Sequence, residues 1–274
     1  VLYTKSNTLR MIRKVLKKYK KIDKEGKKMK QIVEVKLLDY YVPGGSPATK
    51  FIADIARVSG VPEKMKDEQI LEMIVENDYS SCLEHIVFTF DIVMSKLIAP
   101  EFLEHRIASH TAKSTRFTRN RDVGYVVPPK ISDKKEFLQL YQIALDQAIK
   151  FYEELRHYGV SREISRYILP ISIKTRYIWT INARSLINFL GLRLCCRASP
   201  EMQEMARKIL KLTREVCPEI FNRIECRGYN LGVCPENENR PRFCYHPEIP
   251  SKKEIKKTWK NRGKSILEQK MRFK

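Results

Sequence analysis

Glu104-His105-Arg106-Ile107-Ala108-Ser109, followed by His110, Ser114, Arg116 and Phe117, is the stretch from which the rest of the chain is read. It puts two imidazoles, two guanidiniums and several hydroxyls directly after an apolar-rich run. Packing alone does not need that mixture. A site for an anionic, planar, hydrogen-bonding ligand does. Arg presents a rigid donor fork to a phosphate or a carbonyl edge, and His can donate from either ring nitrogen near neutral pH. The same residues would also serve as the solvated end of an ordinary helix, so the pattern by itself leaves both readings open.

The chain has 274 residues and is 43% hydrophobic, enough for a packed core in one large domain or two small ones. It contains no run of about 18 apolar residues, so no membrane span is expected. The basic amino-terminal segment lacks an apolar stretch of the secretory kind, and a cytoplasmic location is expected. The net charge is +21, and most of it sits at the two ends. Residues 1–28 carry eleven Lys/Arg against two acids, and residues 251–274 carry ten against two. Residues 1–28 therefore read as a basic amino-terminal extension, residues 29–249 as the folded domain, and residues 250–274 as a basic carboxyl tail. Such tails can bind nucleic acid by releasing its counterions, and Trp259 and Phe273 in the second add stacking surfaces. They can equally act only in solubility.

Seven cysteines without an export signal are expected to be reduced thiols. Cys217, Cys226, Cys234 and Cys244 cluster late in the chain, with His246 beside them. Their spacing lacks the tight Cys-x-x-Cys pair of most zinc sites, so a structural metal and inert thiols both stay open. Cys195 and Cys196 are expected to be buried on the helix that carries Arg193.

Hydrophobic periodicity outlines the fold. Residues 31–39 and 85–96 read as strands, and 43–47 as a turn with Pro47 suited to a first helical turn. Helices are expected over 48–58, 67–77, 98–109, 134–157, 161–168, 182–196 and 200–214, with a loop over 118–132. The fold class is α/β in the α+β sense, a helix-rich single domain with a mixed sheet.

His105-Arg106, seven residues and then Ser114 resembles the signature of the flavin-dependent thymidylate synthases: Arg-His-Arg, seven residues, Ser, with a further Arg and Tyr beyond. Here Glu104 stands for the first Arg and Phe117 for the Tyr. Four further blocks are similar to the family in the same order. They are Ala56-Arg57-Val58-Ser59, Leu83-Glu84-His85-Ile86-Val87-Phe88-Thr89-Phe90, Arg162-Glu163-Ile164-Ser165-Arg166 with Leu169-Pro170, and Asn182-Ala183-Arg184-Ser185-Leu186 through Asn188 to Arg193. The resemblance covers residues 32 to 245.

That resemblance implies a homotetramer using FAD as cofactor and NADPH and methylenetetrahydrofolate as co-substrates to methylate dUMP to dTMP. It assigns Arg193 to activating the pyrimidine. Ser59, Ser81, His105, Arg106, Asn182, Arg184 and Asn188 would hold the flavin. Ser114, Arg116, Arg166 and Arg193, with the positions of Glu101 and Glu104, would meet the nucleotide. An ion pair within one helix, Arg166 to Glu163, is the alternative role for Arg166. His85 is expected to be structural. No Gly-x-Gly-x-x-Gly run occurs, so a Rossmann flavin site is not expected.

The departures cluster. Glu101, Glu104 and Ala112 stand where the family commonly has Gln, Arg and Glu, and Tyr79 replaces a His. A carboxylate near a phosphate repels it unless a cation intervenes, and Lys113 or a tail residue is a candidate for that cation. Two alternatives to thymidylate synthesis therefore stand. One is a divergent flavoenzyme acting on another pyrimidine nucleotide or on a nucleic-acid base. The other is a non-catalytic nucleic-acid-binding protein on the same scaffold.

Overall fold

The computed structural model describes residues 33–45, 47–77, 79–116, 124–236 and 239–258. Residues 1–28, Phe117 and most of the carboxyl tail, with Trp259 and Phe273, lie outside the described residues. The elements run β1 (Glu34–Tyr41), α1 (Thr49–Val58), α2 (Asp67–Asn77), a 3-10 turn (Ser80–His85), β2 (Val87–Ser95), α3 (Ala99–Leu103) and β3 (Ser109–Ala112). They continue with α4 (Pro129–Ser132), α5 (Lys135–His157), α6 (Arg162–Ser165), a 3-10 turn (Arg166–Ile168), β4 (Lys174–Asn182), α7 (Ala183–Arg193), α8 (Pro200–Val216), α9 (Pro218–Phe221) and α10 (Arg227–Asn230). The strands form one four-stranded sheet in the order β1-β2-β4-β3. It is antiparallel rather than mixed. No helix among the described residues is long and apolar enough to cross a membrane.

Two expectations fail in an instructive way. The helix expected over 98–109 stops at Leu103, and Ser109–Ala112 form an edge strand. Helical spacing and a short strand cannot be told apart where apolar residues are this sparse. The strand Lys174–Asn182 was absent from the expected elements, although its alternation is visible in hindsight. Thr175, Tyr177, Trp179 and Ile181 are buried, and the residues between them are not. Smaller shifts follow local chemistry. Pro129 opens a short helical turn inside the expected loop, and Pro47 precedes α1 by two residues.

The contacts divide the chain into two compact units, and β1, β2 and β4 each supply residues to both. The first unit holds Asp91–Glu104 and His110–Ile178. Within it Phe102 meets Tyr177 edge-on at 5.5 Å. Asp91, nearly buried on β2, accepts two hydrogen bonds of 2.7 Å from Arg176 on β4, a bidentate fork that fixes strand register. Helix α5 ends on Gly159 at φ +83°, with the Val160 N–H returning to the Leu155 carbonyl at 3.0 Å and that of Gly159 to Arg156 at 3.2 Å. That left-handed C-terminal turn suits glycine and satisfies the last carbonyls.

The second unit holds Val35–Phe90, His105–Ser109 and Trp179–Lys274. Its core is aromatic: Phe90 to Trp179 at 6.0 Å, Trp179 to Phe189 at 5.0 Å and Phe88 to Phe221 at 5.5 Å, all fully buried. Helix α7 starts where the Asn182 side chain accepts from the Ser185 N–H at 2.8 Å, capping a donor the helix cannot itself satisfy. Helix α8 begins with Pro200 in its first turn and buries Met202, Met205, Ala206, Ile209 and Leu210, a stripe at helical spacing. In the carboxyl segment, a Cβ at Gly228 would stand 3.2 Å from the Cys234 Cα, so only glycine admits that approach without displacement.

Candidate functional site

In the second unit the structure brings together two residues that are 88 positions apart. Arg193, the last residue of α7, donates from Nε to His105 Nε2 at 3.0 Å. His105 lies edge-on to Phe189, one α7 turn before Arg193, with ring centroids 4.8 Å apart. Both partners are half-buried. For Nε2 to accept, the imidazole proton must sit on Nδ1, so this contact orients the guanidinium through a ring nitrogen. The arrangement fixes the plane of the Arg193 guanidinium at the end of α7.

The other flavin candidates also fall in this unit. Ser59 follows α1 and is exposed, and Ser81 is exposed in the 3-10 turn that packs on α7. Arg184 on α7 pairs with Glu84 of that turn at 2.5 Å. Asn188 is exposed one turn further along, and Arg106 is exposed beside His105. Asn182 uses its carbonyl oxygen as the helix cap, which leaves the amide NH2 to serve a ligand. Arg57, within the early resembling block, sits among Asp54, Glu63 and Asp67 and is structural. His85 is exposed and packs edge-on to Phe51 at 6.4 Å.

The nucleotide candidates Ser114, Arg116 and Arg166 lie in the first unit. Ser114 Oγ accepts from the Arg116 N–H at 3.2 Å. The Arg166–Glu163 ion pair, the alternative role for Arg166, does not form. Arg166 Nε donates to the Glu163 backbone carbonyl at 3.1 Å, while the Glu163 carboxylate takes Arg116 at 3.0 Å. Arg166 Nη1 reaches the hydroxyl of Thr115 at 3.3 Å, and Thr115 is buried. Lys96 Nζ reaches that same hydroxyl at 3.3 Å. Burial, and then the charge of Arg166, hold the Lys96 ammonium below its ordinary pKa. The sequence reading passed over Lys96 and Thr115. The one signal was a Lys ending an otherwise buried strand. Glu101 is half-buried in the first turn of α3, and Glu104 caps that helix and is exposed.

The late cysteines group differently from expectation. Cys196 sits against Cys195 and Cys244, and its thiol is pushed up to about 12 by burial and then by those neighbours. Burial also raises Cys226 and Cys234, each with Cys244 nearby. Cys217 is instead raised by burial and by Glu219. Among the described residues no group of three or more His, Cys, Asp or Glu could hold a metal ion. Of the four late cysteines, Cys226 and Cys234 have Cys244 nearby, whereas Cys217 has Glu219. Cys195 and Cys196 lie in the turn after α7 rather than on it, and only Cys196 is buried.

A family model described as thymidylate synthase complementing protein matches residues 36–219. A flavin-dependent thymidylate synthase of Thermosipho melanesiensis is 35% identical over 202 residues, covering 67% of this chain and 88% of that protein. Its counterpart in Pyrococcus furiosus is 33% identical over 207 residues, covering 72% and 82%. Among solved structures, a UMP/dUMP methylase PolB from Streptomyces cacaoi bound with 5-Br dUMP superposes with a TM-score of 0.61 at 21% identity. That match covers 69% of this chain and 93% of the other, and at such identity the likeness is one of fold.

Proposed function

The chain belongs to the flavin-dependent thymidylate synthase family, and from that premise we propose that it methylates dUMP to dTMP, with FAD as cofactor, methylenetetrahydrofolate as carbon donor and NADPH as reductant. The observation that carries this reading is the Arg193–His105 hydrogen bond. Methylation at C5 requires electron density at C5 of the uracil ring, which rises as the ring becomes anionic. A cation within ~4–6 Å lowers the pKa of such a group by roughly 1–3 units. Arg193, oriented by the His105 imidazole that itself packs edge-on to Phe189, suits that role. Ser114, Arg116 and Arg166 would hold the nucleotide's phosphate.

The residues of the second unit fit a flavin. Guanidinium, imidazole, amide and hydroxyl donors at His105, Arg106, Asn182, Arg184, Asn188, Ser59 and Ser81 match the carbonyl edges and diphosphate of FAD. When bound there, FAD would supply the hydride chemistry. The Arg184–Glu84 pair then has to share its guanidinium with the cofactor. Self-assembly as a homotetramer is supported by the large apolar residues exposed in the first unit, among them Phe151, Tyr158, Ile164, Tyr167 and Ile171.

Purified protein tests the proposal. A flavin-loaded sample that oxidises reduced flavin on addition of dUMP, and forms dTMP when the folate is supplied, supports it. A yellow protein indifferent to dUMP would redirect the search to another pyrimidine. Light scattering checks the tetramer.

A further inference from the structure

Lys96 follows the last residue of β2, and its backbone N–H donates to the Ile173 carbonyl at 3.0 Å, which fixes its Cα. Its ammonium and the Arg166 guanidinium both donate to one buried oxygen, Thr115 Oγ1, each at 3.3 Å. The two cationic nitrogens are therefore no more than twice that distance apart. The carboxylate of Glu163 is engaged by Arg116. Lys96, Arg116, Arg166 and Glu163 together carry three positive charges and one negative. Two cations gathered on one hydroxyl oxygen suit a ligand with several anionic oxygens, such as a phosphate monoester. A structural role for position 96 would be met as well by an uncharged chain of the same length. A half-buried ammonium held beside a guanidinium is instead disfavoured until an anion arrives.

We propose that Lys96 is a specificity-determining residue, the third cation of a cluster with Arg116 and Arg166 that reads the monophosphate of the nucleotide substrate. The proposal rests on the reading above that this substrate is a pyrimidine nucleotide. It also names a cation for a site in which Glu101 and Glu104 stand where the family commonly has Gln and Arg.

The test compares the flavin-loaded full chain with Lys96→Met, which keeps the length of the side chain, and Lys96→Arg, which keeps its charge. Binding of dUMP, of uncharged deoxyuridine and of inorganic phosphate is titrated at low and high salt. Lys96→Met should weaken dUMP by roughly 10- to 100-fold, the range for a charged hydrogen bond. It should leave deoxyuridine unaffected and flatten the salt dependence, and Lys96→Arg should restore most of the loss. Equal weakening of dUMP and deoxyuridine would assign Lys96 a structural role and overturn the proposal. So would unchanged dUMP binding in Lys96→Met, while leaving the enzyme reading intact. Wild-type protein that ignores dUMP but binds inorganic phosphate in a Lys96-dependent way would sink the dUMP reading and keep the anion cluster.

Discussion

The second unit's Arg193 and the first unit's Arg166 are both guanidiniums at the end of a resembling block, yet their surroundings differ. Arg193 is oriented by a neutral imidazole against an aromatic ring. Arg166 is held by a backbone carbonyl and shares a hydroxyl with a second cation. The first environment keeps one charge well oriented, which suits stabilising charge that develops during a reaction. The second accumulates charge of one sign, which suits capturing a ligand that is already charged. Two sites with similar residues are thereby assigned different work, chemistry at one and affinity at the other.

That contrast can be broken most directly at Arg193. Arg193→Ala should lower dUMP-dependent turnover by about 100- to 1000-fold, the usual effect of removing one preorganised electrostatic group, with flavin content retained. Loss of flavin with normal turnover per bound flavin would contradict the assignment. At the other site, Arg116→Ala should act mainly on affinity, raising the apparent Kd for dUMP by roughly 10- to 100-fold in a titration. A fall in kcat with unchanged affinity would erase the distinction between the two regions.

A smaller effect is expected at Asn182, which is both a flavin candidate and the cap of α7. Asn182→Ala should cost about 1 kcal/mol through the lost cap, read as a Tm lowered by roughly 2–4 °C. Asn182→Ser should recover the stability, since Ser also caps, and any flavin defect that persists would then belong to the amide. The smallest effect concerns Lys96 without ligand. Its pKa is lowered in the folded chain, so the unfolded chain binds more protons between the lowered value and the ordinary 10.5. The penalty is fully present below that window and is relieved as pH rises through it. Lys96→Met should therefore melt slightly above the parent at pH 7 in phosphate-free buffer, and the difference should close by about pH 10.5. A difference that widened with pH would show that Lys96 is not disfavoured by burial and the neighbouring Arg166.

Long amphipathic helices were readable because their spacing survives in the residue order. Lys135–His157 and Pro200–Val216 are examples. The short edge strand Ser109–Ala112 was not, because its four residues carry no period of their own and it exists through hydrogen bonding to β4. At the candidate site, Arg193 and His105 were both legible as residues, but not their mutual hydrogen bond. Lys96 illustrates the opposite case. Its place at the end of a buried strand is the one mark it carries in sequence, and its meaning comes from Thr115 and Arg166, which reach it only in the folded chain.

Residue order by itself settled the family, the helix-rich class and the types of donor gathered in each block, since these depend on local spacing and on motifs within a few turns of chain. Tertiary structure decided which charges face which partners. It gave Arg193 a neutral imidazole, moved Glu163 from Arg166 to Arg116, and set Lys96 beside Arg166. The reason is physical: the electrostatic character of a group is set by neighbours within a few ångströms, and here those neighbours come from distant positions in the sequence.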